Sequence, residues 1–299
     1  MTLGFFGAWR TIEFQDLMEF VKEANISISG YDVQRTGSTF KRFLEIEASN
    51  LGIDSTSYYS LENRYTKINR KLRNRKTLYD SVKLPTLALI KDYEKMNAIL
   101  QDSSKGQSRG VELSKKTISN RTAYLNYYLE FLKDKDWNKR WKSRDYAMAS
   151  NIIWLIDNLY KDRKVIIVGH NFHISKFNQN EEVMGEILHK KYKKEIYSLG
   201  VFAAKGSYFG NSGKKEQLAK PHPSLLDIKH IIASLDGAIN YISIPENPTK
   251  NNSWLFNKII VEDTFIDLSG SNSMILSKHF DALLLLDEVS PPDMIEWNE

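Results

Sequence analysis

The residues best equipped for chemistry stand in one short run, VIIVGHNFHIS (165–175). An apolar stretch ends at Gly169, and His170, Asn171 and His173 follow at once. Two histidines three positions apart fall on one side of a helical turn. Imidazole is the side chain best poised for proton transfer near neutral pH. In open α/β sheets, sites collect where strands end, and a glycine there permits a tight turn. The plainer alternative is a pair of hydrogen-bonded loop histidines. The same pair could be half of a metal site, but no third ligand adjoins it and HExxH is absent. No metal and no cofactor are therefore assigned. The other four, His189, His222, His230 and His279, read as surface or capping groups.

A second constellation precedes the first. In RDYAMASNIIWLID (144–157), Arg144 and Asn151 are seven apart and share a helix face, with Met148 between them. Ile152, Ile156 and Leu159 point the other way, toward a core. Arg144 could hold a carboxylate or polarise an oxyanion; the plainer alternative pairs it with a local acid such as Asp145. Serine chemistry finds no support. There is no GxSxG elbow, and Ser207 in KGSYFG lacks the strand–serine–helix setting. The glycine-rich GSYFGNSGKK (206–215) does not fit GxxxxGK[ST] and reads as a mobile loop near a pocket. Zero cysteines exclude disulfides, thiolate metal sites and a cysteine nucleophile.

The elements that must position these residues can be read from periodicity. A helix is expected within residues 1–25, with Ile12, Leu17, Phe20 and Val21 as its apolar stripe, then a short strand at 26–32. Long helices follow at 38–50, 58–80, 84–102 and 113–135, with Pro85 suited to a first turn and 101–110 a polar loop. A helix at 144–162 leads into a buried, parallel strand at 164–169. Helices at 181–192 and 223–235 then alternate with strands at 196–203, 239–244 and 280–289. Such alternation implies the α/β class, a mostly parallel sheet flanked by helices, with the helical block 38–140 inserted as a cap or side layer.

The bulk properties restrict the function classes. The chain has 299 residues, enough to bury roughly 75% of its unfolded surface. With 41% hydrophobic and 26% charged residues, wholesale disorder is excluded. No apolar run approaches the ~20 residues that cross a bilayer, and the opening residues do not form a secretory signal. The cytoplasm is the default expectation. The net charge of +5 draws on RYTKINRKLRNRK (64–76) and HKKYKK (189–194). Tyr65, Ile68, Leu72 and Leu78 recur through the first at helical spacing, so it reads as a solvated helix face. Neither nucleic acid nor a membrane is expected as a partner.

Several segments together resemble the erythromycin esterases: RDYAMASNIIWLID, KVIIVGHNFHIS, MGEILHKKYKKEIYSLGVFAAKG and FDALLLLDEVSPP, with AWRTIEFQDLMEFVKEAN and ISISGYDVQ upstream. The resemblance covers about residues 9–292 and is weakest through 50–135. It implies one domain over 1–299 with the 38–140 insertion inside it. The activity it implies is hydrolysis of a cyclic or other carboxylic ester by histidine-activated water, with a small, macrolide-like ester as substrate. His170 and His173 match the family's late pair of active-site histidines. Arg144, Asn151 and Asp32 match motif positions expected to orient groups in a cleft, and Asn171 is grouped with them as substrate-binding. One feature departs: the family's early strand ends in a Gly-Glu-x-x-His-Gly motif bearing the general base, and that hexapeptide is absent from residues 1–299. The expectation is a chain lacking the family's first strands, with an incomplete sheet and impaired activity. Two alternatives stay open, a non-catalytic ligand-binding member and a metal-dependent hydrolase.

Overall fold

The computed structural model describes residues 9–33, 54–74, 76–102, 108–179, 181–210, 214–261 and 273–295, apart from the side chains of 55 and 137–141. The chain divides into two compact units, one over residues 30–147 and one over 10–29 and 148–299.

The first unit is helical: α2 (Ser55–Arg73), α3 (Tyr79–Asp102), α4 (Arg109–Asp134) and the opening turns of α5 (Trp137–Asn158). Asp54 starts α2 by accepting the Thr56 amide at 3.0 Å, and Ser108 starts α4 by accepting that of Val111 at 3.1 Å. Each helix turns one stripe inward: Tyr58, Leu61, Tyr65 and Leu72 from α2, Val82, Leu89, Tyr93 and Leu100 from α3, Val111, Ile118, Leu125 and Leu132 from α4. Arg64, Lys67, Arg70, Lys71 and Arg73 lie on the outer side of α2, as expected, but Leu78 falls between two helices and is exposed. Helix α3 starts before Pro85, so the proline sits inside it rather than in its first turn. The expected helix 38–50 lies outside the described residues.

A buried polar cluster joins the three helices. Glu62 of α2 accepts from the Tyr93 hydroxyl of α3 at 2.7 Å and from Arg121 of α4 at 2.6 Å. The Arg121 guanidinium also lies 3.8 Å from the centre of the Tyr65 ring. Burial pushes the Tyr93 phenol well above its ordinary pKa.

The second unit holds α1 (Ile12–Glu23), the rest of α5, α6 (Asn171–Ile174), α7 (Met184–Tyr192), α8 (Ile228–Ala233) and α9 (Leu276–His279). Its strands are β1 (Leu199–Phe209), β2 (Lys215–Gln217), β3 (Ile239–Ser243), β4 (Ile259–Ile260), β5 (Ser273–Met274) and β6 (Ala282–Val289). The main sheet has the order β2-β1-β6-β3. Strands β1 and β6 run parallel, with Leu199 opposite Ala282, and β2 and β3 add antiparallel edges. The α/β class stands. The sheet is mixed rather than mostly parallel, because among the described residues parallel pairing in it is confined to β1–β6. Phe202, Ile228, Ile232, Leu255, Phe280 and Leu285 fill its core. Glycine is required at Gly206, where φ is +119° and a Cβ would meet the Val289 carbonyl.

Two expected strands are not strands. Neither 26–32 nor 164–169 forms a strand, and several of their apolar side chains meet water: Ile26 is 51% exposed, Ile28 57%, Val168 65% and Ile166 90%. A β-branched run favours extended backbone, but a strand also needs a neighbour to take its hydrogen bonds. The α1 stripe likewise faces outward at Ile12, Leu17 and Phe20, and Met18 alone of the helix is buried. The start of α1 is held by the distal end of the chain, where the Ile12 amide donates to the Asp293 carbonyl at 2.8 Å and the Ile295 amide to Arg10 at 3.0 Å. No helix among the described residues is long and apolar enough to cross a membrane.

Candidate active site

His170 is the N-cap of the four-residue α6, in extended backbone at φ −64° and ψ 145°. Its Nδ1 accepts the Phe172 amide at 3.2 Å. A nitrogen that accepts carries no proton, so the neutral ring bears its hydrogen on Nε2. The exposed imidazole thus offers a donor, suited to an oxyanion or a water oxygen, rather than a free basic nitrogen. His173 follows one turn later, half-buried and edge-on to the Phe172 ring at 5.2 Å between centroids.

The segment that carries both histidines is fastened at four points, to β1 and to residues just before β1 and β6. The Asn171 side chain donates to the Val201 carbonyl of β1 at 2.6 Å and accepts the Val201 amide at 3.0 Å. The Ser198 hydroxyl donates to the Ile174 carbonyl at 2.8 Å. Lys176 pairs with Asp281 at 2.6 Å, and Asp281 also accepts the Ser198 amide at 2.8 Å. Ser175 and His279 meet at 2.8 Å, both buried. Since the Ser175 hydroxyl donates to the Phe177 carbonyl at 2.6 Å, His279 Nδ1–H is the donor between them. Burial lowers the His279 pKa from 6.5 to about 4.

His279 is therefore a core residue rather than the surface group its sequence suggested. His222 is exposed and His230 half-buried: His222 Nδ1 accepts the Ser224 amide at 3.1 Å, and His230 Nε2 lies 2.8 Å from the His222 carbonyl. His189 is half-buried on α7. The contact network of Ser175, Ser198, His279 and Asp281 was not legible in sequence, because its members are up to about a hundred residues apart.

In the first unit, Arg144 and Asp32 come together. The guanidinium donates to both carboxylate oxygens, at 2.7 Å and 3.3 Å. Burial works against the Arg144 charge, but the Asp32 bond and charge outweigh it and raise its pKa. Burial, aided by Asp32, also pushes the neighbouring Tyr31 phenol up to about 12. The partner of Arg144 is thus a remote acid, not a local one acting alone. Asn151, farther along α5, belongs to the second unit and is 4% exposed.

Ser207 lies within β1, 8% exposed and on no elbow. Ser207, Tyr208 and Phe209 of the glycine-rich stretch pair antiparallel with Lys215–Gln217, and residues 211–213 lie outside the described residues. Among the described residues, no three His, Asp or Glu side chains gather as a possible metal site. A partial echo of the family's base motif does occur: Gly185-Glu186-Ile187-Leu188-His189 matches its first five positions. It ends in Lys190 instead of glycine, and it lies on α7 rather than at a strand end.

Comparison with known proteins places this geometry in context. The family model described as Erythromycin esterase matches residues 4–289. "Putative hydrolase YbfO" of Bacillus subtilis strain 168 is 21% identical, over 97% of this chain and 71% of its own length. A crystal structure of a Bacillus cereus protein superposes with a TM-score of 0.74 at 18% identity, covering 96% of this chain and 74% of that one. A succinoglycan biosynthesis protein gives 0.75 at 13% identity, covering 96% and 73%. The erythromycin esterase EreC, a histidine-to-asparagine mutant in its open conformation, gives 0.55 at 13%, covering 94% and 72%.

Proposed function

Because the chain belongs to the erythromycin esterase family, we propose that it is a hydrolase acting on carboxylic esters, with His170 and His173 as the residues that touch the reacting group. The observation that carries this reading is the His170 cap. Accepting the Phe172 amide fixes the tautomer, so Nε2–H is the proton the neutral ring could offer to a developing oxyanion or to the attacking water. His173, on the same turn, would share that task. Asn171 holds the turn on β1 and so positions the histidines. Asn151 would orient a substrate group, while Asp32 and Arg144 hold each other in the other unit.

A donor histidine does not remove a proton from water. The family's base motif is absent from these 299 residues in its full form, so turnover by this chain is expected to be slow. The test is incubation with a panel of esters, a macrolide lactone among them, watched by mass spectrometry for gain of one water. The expected result is slow hydrolysis that free imidazole accelerates, and that falls about 10²-fold or more in His170→Ala and His173→Ala. Unchanged turnover in both variants would overturn the assignment. Ligand binding without any turnover, with or without imidazole, would favour the second reading, a non-catalytic binding protein, which the missing motif also supports.

A further inference from the structure

The helical unit contains a cavity that the hydrolase reading does not use. It is about 230 Å³ in volume, and α4 supplies most of its wall. Ala123, Tyr127 and Glu130 are spaced four and three apart, one helical stripe, and Tyr124 and Tyr128 form the stripe beside it. Ser143, Arg144 and Ala147 of α5 close the opposite side. A second cavity of about 180 Å³ shares Tyr127, Glu130 and Ser143 with the first, so the two adjoin.

The aromatic rings differ in orientation. Tyr127 and Tyr128 are edge-to-face, 5.5 Å apart at 80°, and Tyr124 and Tyr128 are tilted by 56° at 4.7 Å. All three tyrosines line the cavity, and neither ring pair is stacked face to face. Tyr124 and Tyr128 are buried, at 4% and 2% exposure, so these walls belong to the core and are rigid. The charge is asymmetric. Arg144 is answered by Asp32 within 2.7 Å, whereas Glu130 is a carboxylate common to both cavities. Asp134 and Asp136 line the second cavity with it, against Lys142.

Aromatic faces attract cations through the ring quadrupole, and a carboxylate adds a direct counter-charge. A tyrosine-lined space with those two features favours a cation with an alkyl skin over an anion or a neutral polar solute. We infer that the Tyr124–Tyr127–Tyr128 cavity binds an organic cation, a protonated alkylamine or quaternary ammonium group, with Glu130 as its counter-ion. This site is independent of His170 and His173, and its failure would leave the hydrolase reading untouched.

Choline and its neutral isostere 3,3-dimethylbutan-1-ol, titrated into the full chain and followed by saturation-transfer NMR, provide the test. Choline should bind at least about fivefold more tightly than the isostere. Glu130→Gln and Tyr127→Leu should each weaken choline by a similar factor, and Glu130→Gln should leave the isostere unchanged. Glu130 is exposed on its helix, so that variant folds whatever the fate of Tyr127→Leu. Equal binding of the two probes, no saturable choline binding at millimolar concentration, or choline binding indifferent to Glu130→Gln would each overturn the inference.

Discussion

His170 and His279 have the same side chain and opposite situations. His170 is exposed, its Nδ1 fixed as an acceptor by a helix cap, and it can meet a solute. His279 is 7% exposed and spends its Nδ1–H on Ser175. Its pKa, lowered to about 4 by burial, has a consequence for stability. A base whose folded pKa is depressed takes up its proton more readily when unfolded. Its contribution is therefore complete above pH 6.5, is lost progressively as pH falls from 6.5 to about 4, and changes no further below that. Urea unfolding of wild type and His279→Gln across this range should give curves whose difference shrinks toward pH 4. The carboxylates contribute to both proteins and cancel in that difference. A difference independent of pH would mean that His279 titrates normally in the fold.

At the scale of elements, close approach and buried charge decide what can change. Helix α7 crosses the segment bearing the histidines at Gly185, where a Cβ would overlap the Ile174 carbonyl group and the Ser175 carbonyl oxygen. All of these are backbone atoms, so one element must move. Gly185→Ala should cost about 1–3 kcal/mol and speed amide exchange in residues 171–175; a wild-type melting curve would refute the contact. In the helical unit, Glu62, Tyr93 and Arg121 come from three different helices, and the ion pair has 2% and 7% side-chain exposure. Arg121→Met would strand the Glu62 charge in the core, and denaturant titration should show a loss of about 3–5 kcal/mol. Replacing both charged residues with apolar ones of similar volume should recover much of that loss.

Across the whole molecule, the distribution of apolar surface matters more than the +5 net charge. Ile26, Ile28, Val165, Ile166 and Val168 stand in water although their segments have strand-like composition. Residues this exposed contribute little to folding, so Ile166→Thr should leave the melting temperature within the scatter of surface substitutions, about 0.5 kcal/mol or less. It should also reduce binding of a hydrophobic dye such as ANS. A large destabilisation would show that Ile166 is covered in solution.

What the sequence determined by itself was local. Helical periodicity marked the existence of α2 to α5, with ends displaced by up to seven residues, because a stripe repeating every three or four positions buries only as a helix. The histidine cluster was visible because its members are consecutive, and the α/β class followed from alternation after residue 144. Only the tertiary structure could decide the rest. Runs 26–32 and 164–169 have the composition of strands, yet pairing depends on a neighbour that composition does not contain. Asp32 reaches Arg144 across 112 positions, and Ser175 reaches His279 across 104. Spacing along the chain carries no record of such pairs. They exist because a buried donor or charge must find its partner wherever the fold delivers one.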